Sequence, residues 1–117
     1  MFTDVARVVR ASALPDSELG LDVLDPGQVL DGDPEVRSLA IHDGDDLAVG
    51  VWQHSVGVSV DVEADEVFVV LSGRATVQVV DGPTLTLGPG DVGLLPAGAR
   101  TTWTVQETLR KVYLVRP

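Results

Sequence analysis

The chain has no cysteine. Disulfides, thiolate metal sites and cysteine nucleophiles are therefore excluded, and the redox state of the compartment leaves no mark on the sequence. Aromatics are scarce: two Trp, two Phe and one Tyr in 117 residues. Only two histidines occur, His42 and His54. Cations are few as well. Eight Lys and Arg stand against eighteen Asp and Glu, for a formal charge of −10. Nucleic acid and anionic membrane both need clustered cations, so neither is an expected partner. The longest uncharged run, Leu47–Val60, carries Gln53, His54 and two Ser and is too short to span a bilayer. Asp4, Arg7 and Arg10 interrupt the first residues, which do not read as a secretion signal. The expectation is a soluble cytoplasmic protein of one domain, long enough to bury a core without a staple.

What is abundant is valine and leucine, broken by 12 Gly and 7 Pro. That mixture suggests an all-β domain. Residues 1–20 are weakly patterned, and Asp4–Arg10 could be a strand or a helical turn. Pro26-Gly27, Asp31-Gly-Asp-Pro34 and Asp43-Gly-Asp-Asp46 carry turn chemistry. Eleven of the eighteen acidic residues fall in residues 1–46 and read as a solvated loop face. Asp31-Gly-Asp33 lacks the remaining ligands of a calcium loop.

Short strands follow. Val36–His42 and Leu47–His54 flank the turn-forming segment Asp43–Asp46 and read as a hairpin. Val58–Val62 alternates, as does Arg74–Val80. Glu66–Leu71, Thr84–Leu87, Val92–Leu95, Thr101–Val105 and Thr108–Val115 complete the set. Ser72-Gly73, Asp81-Gly-Pro83, Gly88-Pro-Gly-Asp91 and Pro96-Ala-Gly98 read as turns, with Gly73 and Gly98 expected at positive φ. This spacing, with no sustained helical period, argues for a sandwich or barrel.

Two segments carry a resemblance. Glu66-Val-Phe-Val-Val-Leu-Ser-Gly73 resembles the second half of the first cupin motif, and Gly90-Asp-Val-Gly-Leu-Leu-Pro96-Ala-Gly98 resembles the first half of the second. With Val49-Gly-Val-Trp52 upstream and Trp103–Tyr113 downstream, the chain is similar to small single-domain cupins related to the cupin domain of ureidoglycine aminohydrolase. The resemblance implies a cupin-type double-stranded β-helix (a jelly-roll barrel) over residues 22–117 with few or no helices. Residues 1–21 would be an arm or strand able to pack on a partner subunit, and the family's habit implies a homodimer.

Metal-binding members of that family hold a metal with three His and one Glu. Of those positions only Glu66 is kept. The first two fall on Ser59 and Asp61, or on Val60 and Val62, and the third on Thr101. One carboxylate, even helped by Asp61, does not make a first-row metal site, so no metal or other cofactor is expected.

If family parity is kept, Glu66 points inward with Phe68, and a lone buried carboxylate needs a partner. Lys111 shares one face of its strand with Leu109, Tyr113 and Val115 and is the natural counter-ion, unless Arg110 takes the inward phase instead. The pair could be structural, or it could be an acid–base or binding element. Thr101, Trp103 and Val105 share a phase, as do Trp52 and His54. Trp52, Phe68 and Trp103 could line a pocket for a planar ligand or simply fill the core. Each His could equally face solvent.

The expected function is a metal-free barrel binding a small polar or planar metabolite, with Trp52, His54, Ser59, Asp61, Glu66, Phe68, Thr101, Trp103 and Tyr113 as candidate contacts. The alternative is an isomerase-, lyase- or aminohydrolase-like enzyme with Glu66 as acid or base, tuned by Lys111 and assisted by His54 or Tyr113. A third reading is an interaction module whose acidic face meets a basic partner.

Overall fold

The computed structural model describes residues 2 and 5–117. It contains nine strands: β1 (Gly20–Asp22), β2 (Val29–Gly32), β3 (Val36–Asp43), β4 (Ala48–His54), β5 (Gly57–Val62), β6 (Asp65–Val79), β7 (Thr84–Leu87), β8 (Val92–Leu95) and β9 (Arg100–Arg116). The only helical pieces among the described residues are two single 3₁₀ turns, Asp16–Glu18 and Pro26–Gln28. Among the described residues every strand pairing is antiparallel, and the sheet curls into a half-barrel ordered β1-β3-β4-β9-β5-β2, with β6 joining β7 and β8 to β9.

Two long strands organise the rest. β9 pairs with β5 through Arg100–Val105 and with β4 through Leu109–Val115. Along its other edge it pairs with β6 over nearly its whole length. β6 in turn pairs with β8 through its first half and with β7 through its second.

Here the structure corrects the sequence reading. Ser72-Gly73 does not turn one strand into the next. β6 runs through it, bent by register shifts between Val70 and Ala75. Gly73 does take a positive φ, +91°, and a Cβ there would strike the Thr108 carbonyl. The glycine thus lets a bulged strand bend against β9. Thr101–Val105 and Thr108–Val115 are likewise one bent strand. β2 lies in the acid-rich region read as loop. It is an edge strand with an irregular register against β5, and its Asp31 and Gly32 hide the usual strand pattern. Residues 6–10 adopt neither helix nor strand, and Asp4 lies outside the described residues.

The turns follow sequence chemistry closely. Gly88-Pro-Gly-Asp91 closes with an Asp91 N–H to Gly88 carbonyl bond of 3.1 Å and Gly90 at φ +88°. Pro at the second position and a positive-φ glycine at the third define a type II turn. Pro96–Ala99 closes in the same way, with Gly98 at φ +84° in the third position but proline in the first.

The core lies between the curled halves and comprises Phe68, Val70, Ala75, Val77, Leu87, Leu95, Trp103, Val105 and Leu109. The segment before β1 packs on the chain's own barrel. Arg110 donates to the carbonyls of Ala11 (3.0 Å) and Leu14 (2.6 Å), to Asp16 (3.2 Å) and to Gln53 Oε1 (2.8 Å), while Leu19 is fully buried. Arg110 and Lys111 are therefore both buried, on opposite faces of β9, and the choice between them does not arise.

Gly93 of β8 sits directly opposite Phe68, and a Cβ there would strike the end of the phenyl ring. Gly93→Ala should destabilise the fold by about 1–3 kcal/mol through overpacking, read as a lower urea midpoint with an unchanged slope. Gly88→Ala, whose Cβ would meet only the end of Asp91, should cost less than about 1 kcal/mol.

Candidate functional site

The interior faces of β4, β5, β6 and β9 converge at one end of the barrel. Trp52 of β4 lies against Lys111 of β9, and Phe68 of β6 against Tyr113, each pair in direct register. Period-two alternation then brings Trp52, Glu66, Phe68, Trp103, Lys111 and Tyr113 to one side. A cavity of about 190 Å³ opens there, lined by Trp52, Asp61, Glu63, Glu66, Trp103, Lys111, Tyr113 and Val115. It is smaller than the roughly 300 Å³ at which drug-sized pockets begin.

Lys111 is the centre of the arrangement. Its side chain is 5% exposed and that of Glu66 8%. Nζ stands 2.6 Å from Glu66 Oε2, a short charge-assisted contact sealed from solvent. The ammonium also lies over three rings, 4.4 Å from the centroid of Trp52 and 4.6 Å from those of Phe68 and Trp103. Desolvated cation–π contacts of this kind contribute up to about 2 kcal/mol each. Burial pushes the Glu66 carboxyl above its ordinary range. Lys111 pulls it back, and the neighbouring Glu63 and Asp61 add to the rise.

Glu63 went unnoticed in the sequence. Its Oε2 accepts from the Thr101 hydroxyl (2.6 Å) and from the Trp103 indole (3.1 Å). Its backbone is pinned by the Pro96–Ala99 turn, through bonds of 2.8 Å from Glu63 N–H to Ala99 and from Gly98 N–H to Glu63. The available signal was its two-residue spacing from Asp61. Asp61 itself is exposed and accepts from the Val62 N–H, and its carboxyl is raised first by burial and then by Glu63. Tyr113 stacks over Gly50, where any Cβ would strike the phenol. Burial raises that phenol too.

Of the candidate contacts, Trp52, Asp61, Glu66, Trp103, Lys111 and Tyr113 line the cavity, whereas His54, Ser59, Phe68 and Thr101 lie outside its lining. His54 is fully buried rather than solvent-facing, with Trp52 5.5 Å away. Its Nδ1 is 2.6 Å from the Ser55 carbonyl and its Nε2 2.8 Å from the Ser59 hydroxyl. A carbonyl can only accept, so Nδ1 carries the proton and Nε2 takes one from Ser59. Burial lowers the His54 pKa below 6.5, with the Lys111 charge a smaller contribution in the same direction. His42 lies at the far side, edge-on to Phe2.

A larger hollow of about 510 Å³ lies outside the barrel between the N-terminal segment and β4. Arg7 brings its guanidinium there to the Ile41 carbonyl, and no carboxylate is among the described residues that line the hollow.

The sequence matches the model of the EutQ-like cupin domain over residues 42–113. The chain belongs to the EutQ-like cupin domain family. Among solved structures, the cupin resembles EutQ of Clostridium difficile (20% identity, TM-score 0.68, covering 88% of this chain and 79% of that one). It is also similar to a putative ethanolamine utilization protein Q from Salmonella typhimurium (26%, TM-score 0.60, 72% and 69%). A DUF861-family protein of unknown function from Pseudomonas syringae is a third likeness (26%, TM-score 0.71, 83% of this chain but 43% of that one). No curated protein matches by sequence.

Metal-binding cupins hold their ion with imidazoles, and the residues here do not fit one. Both nitrogens of His54 are engaged beneath the mouth, the remaining positions hold Ser59, Asp61 and Thr101, and a lysine ammonium occupies the side of Glu66. Among the described residues no three His, Asp or Glu side chains converge as ligands.

His54 gives a signed pH dependence. The folded state holds it neutral with a lowered pKa, so the unfolded chain binds more protons below pH 6.5. Stability should fall between pH 7.5 and 5.5 by up to about 1.4 kcal/mol for each unit of lowering. His54→Gln should flatten that slope in urea titrations, and an unchanged slope would overturn the assignment to His54.

Proposed function

We propose that this EutQ-like cupin binds a small polar or planar metabolite in the barrel mouth, without a metal. One observation carries the reading. A concave site walled by two indoles holds a buried ion pair, the Glu66 carboxylate and the Lys111 ammonium 2.6 Å apart. A few convergent polar groups inside an aromatic-walled concavity are what small-molecule sites use to orient a ligand. Acid–base catalysis by Glu66 is the alternative. The likeness to ureidoglycine aminohydrolase cupins and the raised Glu66 carboxyl favour it.

Small amides, carboxylates, amines and planar heterocycles titrated into the protein should quench its tryptophan fluorescence, because both tryptophans line the mouth. Glu66→Gln should weaken the best of them about tenfold, as expected for loss of a charged contact. Binding indifferent to Glu66→Gln would overturn the placement.

A second copy of the chain is the proposed partner. Val67, Val92, Leu94 and Leu114 are 38–71% exposed on the outer face. Register places Leu94 and Leu114 beside Val67, and Val92 beside Val69. An uncharged patch of this kind lets two chains of charge −10 meet without repulsion. Light scattering should give twice 12.3 kDa, and Leu94→Glu should return the mass to one chain. A wild-type mass of one chain would end the dimer reading.

A further inference from the structure

The hollow outside the barrel belongs neither to the mouth nor to the core. Its volume of about 510 Å³ is within the roughly 300–1,000 Å³ of small-molecule sites, where the mouth falls short. Ile41, Leu47, Val49 and Leu114 of the sheet form one wall, and Phe2 and Ala6 of the N-terminal segment contribute to the other. Arg110 ties that segment to the barrel through the Ala11 and Leu14 carbonyls. Arg7 and His42 are the only polar side chains among the described lining residues. β3 is bulged between Ala40 and His42, and Ile41, the extra residue, turns its carbonyl to the Arg7 guanidinium. That bond fixes the head of the side chain and leaves its other N–H groups without a partner among the described residues. His42 follows Ile41, and Phe2 stands edge-on to its ring with centroids 5.1 Å apart. Neither ring nitrogen of His42 is hydrogen-bonded among the described residues. Donors therefore outnumber acceptors in this hollow, the reverse of the mouth.

We propose that the hollow binds a small carboxylate with an apolar tail, its head on the Arg7 guanidinium and the His42 N–H and its tail along Ile41, Leu47, Val49 and Leu114. The site is separate from the mouth and stands whether or not the mouth binds anything. A guanidinium takes a carboxylate through two parallel N–H bonds, and an imidazole always carries at least one N–H to give. The tail gains by leaving water against apolar side chains that the fold does not itself cover. An alkylammonium would meet the like charge of Arg7. A neutral tail would fill the hollow but leave the guanidinium without a counter-charge. An anion without a tail would be repelled by a chain of charge −10 and would have nothing to hold it beyond the head.

Ile41 is the chain's single isoleucine, so its methyl signal reports on this hollow, whereas both tryptophans line the mouth. The test titrates octanoate, octanamide, octylammonium and acetate into the full chain at constant ionic strength, below the concentrations at which they form micelles. NMR follows the Ile41 methyl and the Trp103 indole N–H. Octanoate should move the Ile41 methyl saturably, leave the Trp103 signal in place and bind at least about tenfold more tightly than octanamide. Octylammonium should be weaker than octanamide, and acetate should be silent. Arg7→Gln removes one exposed hydrogen bond and no core contact. It should weaken octanoate about tenfold and leave octanamide unchanged. Octanamide or octylammonium binding as tightly as octanoate, or octanoate indifferent to Arg7→Gln, would overturn the carboxylate assignment. Shifts confined to Trp103, or no shift at all, would overturn the site. An Ile41 methyl that responds only in Leu94→Glu would mean that a second copy of the chain fills the hollow, which would overturn it as well.

Discussion

A lysine ammonium held inside a barrel is the constraint around which this cupin end is built. Removing such a charge from water costs several kcal/mol, so its surroundings must answer it from every side. Glu66 supplies the opposite charge, and Trp52, Phe68 and Trp103 turn their negative ring faces toward it. Three of the chain's five aromatic residues are committed to this one atom. The core that packs behind them, Val70, Val77 and Leu109 included, keeps the rings in place. Loss of one member of the buried pair leaves the other uncompensated, a change worth about 3–5 kcal/mol in comparable sites.

The same arrangement explains the glycines and turns around it. Phe68 fits because Gly93 faces it without a side chain, and Tyr113 fits because Gly50 does. The Pro96–Ala99 turn belongs to the fold, yet it fixes the backbone of Glu63 and so aims a carboxylate at the mouth. Residues that read as architecture therefore set the geometry of the site.

Much of this was legible in the residues. Strand phase grouped Lys111 with Tyr113, Trp52 with His54 and Trp103 with Thr101, because alternation is strict wherever one side of a strand is buried, and the family resemblance supplied the inward direction for Glu66. The type II turns were legible because proline and glycine restrict φ directly. Three features were not. The bends in β6 and β9 escaped because a bulge and a turn share the same Ser-Gly signature. Arg110 was weighed against Lys111 as if only one could be buried, since nothing local shows that residues 11–16 return to cover the opposite face. Glu63 escaped because it lies just beyond the end of β5, where periodicity gives no warning that a distant turn will orient it.

The shared use of β9 has a consequence for how the chain is made. β4, β5 and β6 all hydrogen-bond to this strand, which follows them in the sequence. Until it leaves the ribosome, those three strands present bare edges to the cell. Neither half of the barrel can close early, because each half borrows one end of the same strand. Assembly therefore waits on β9 and is governed by long-range pairing, the slow regime for β proteins. During that interval the abundant acidic residues keep nascent chains apart by mutual repulsion.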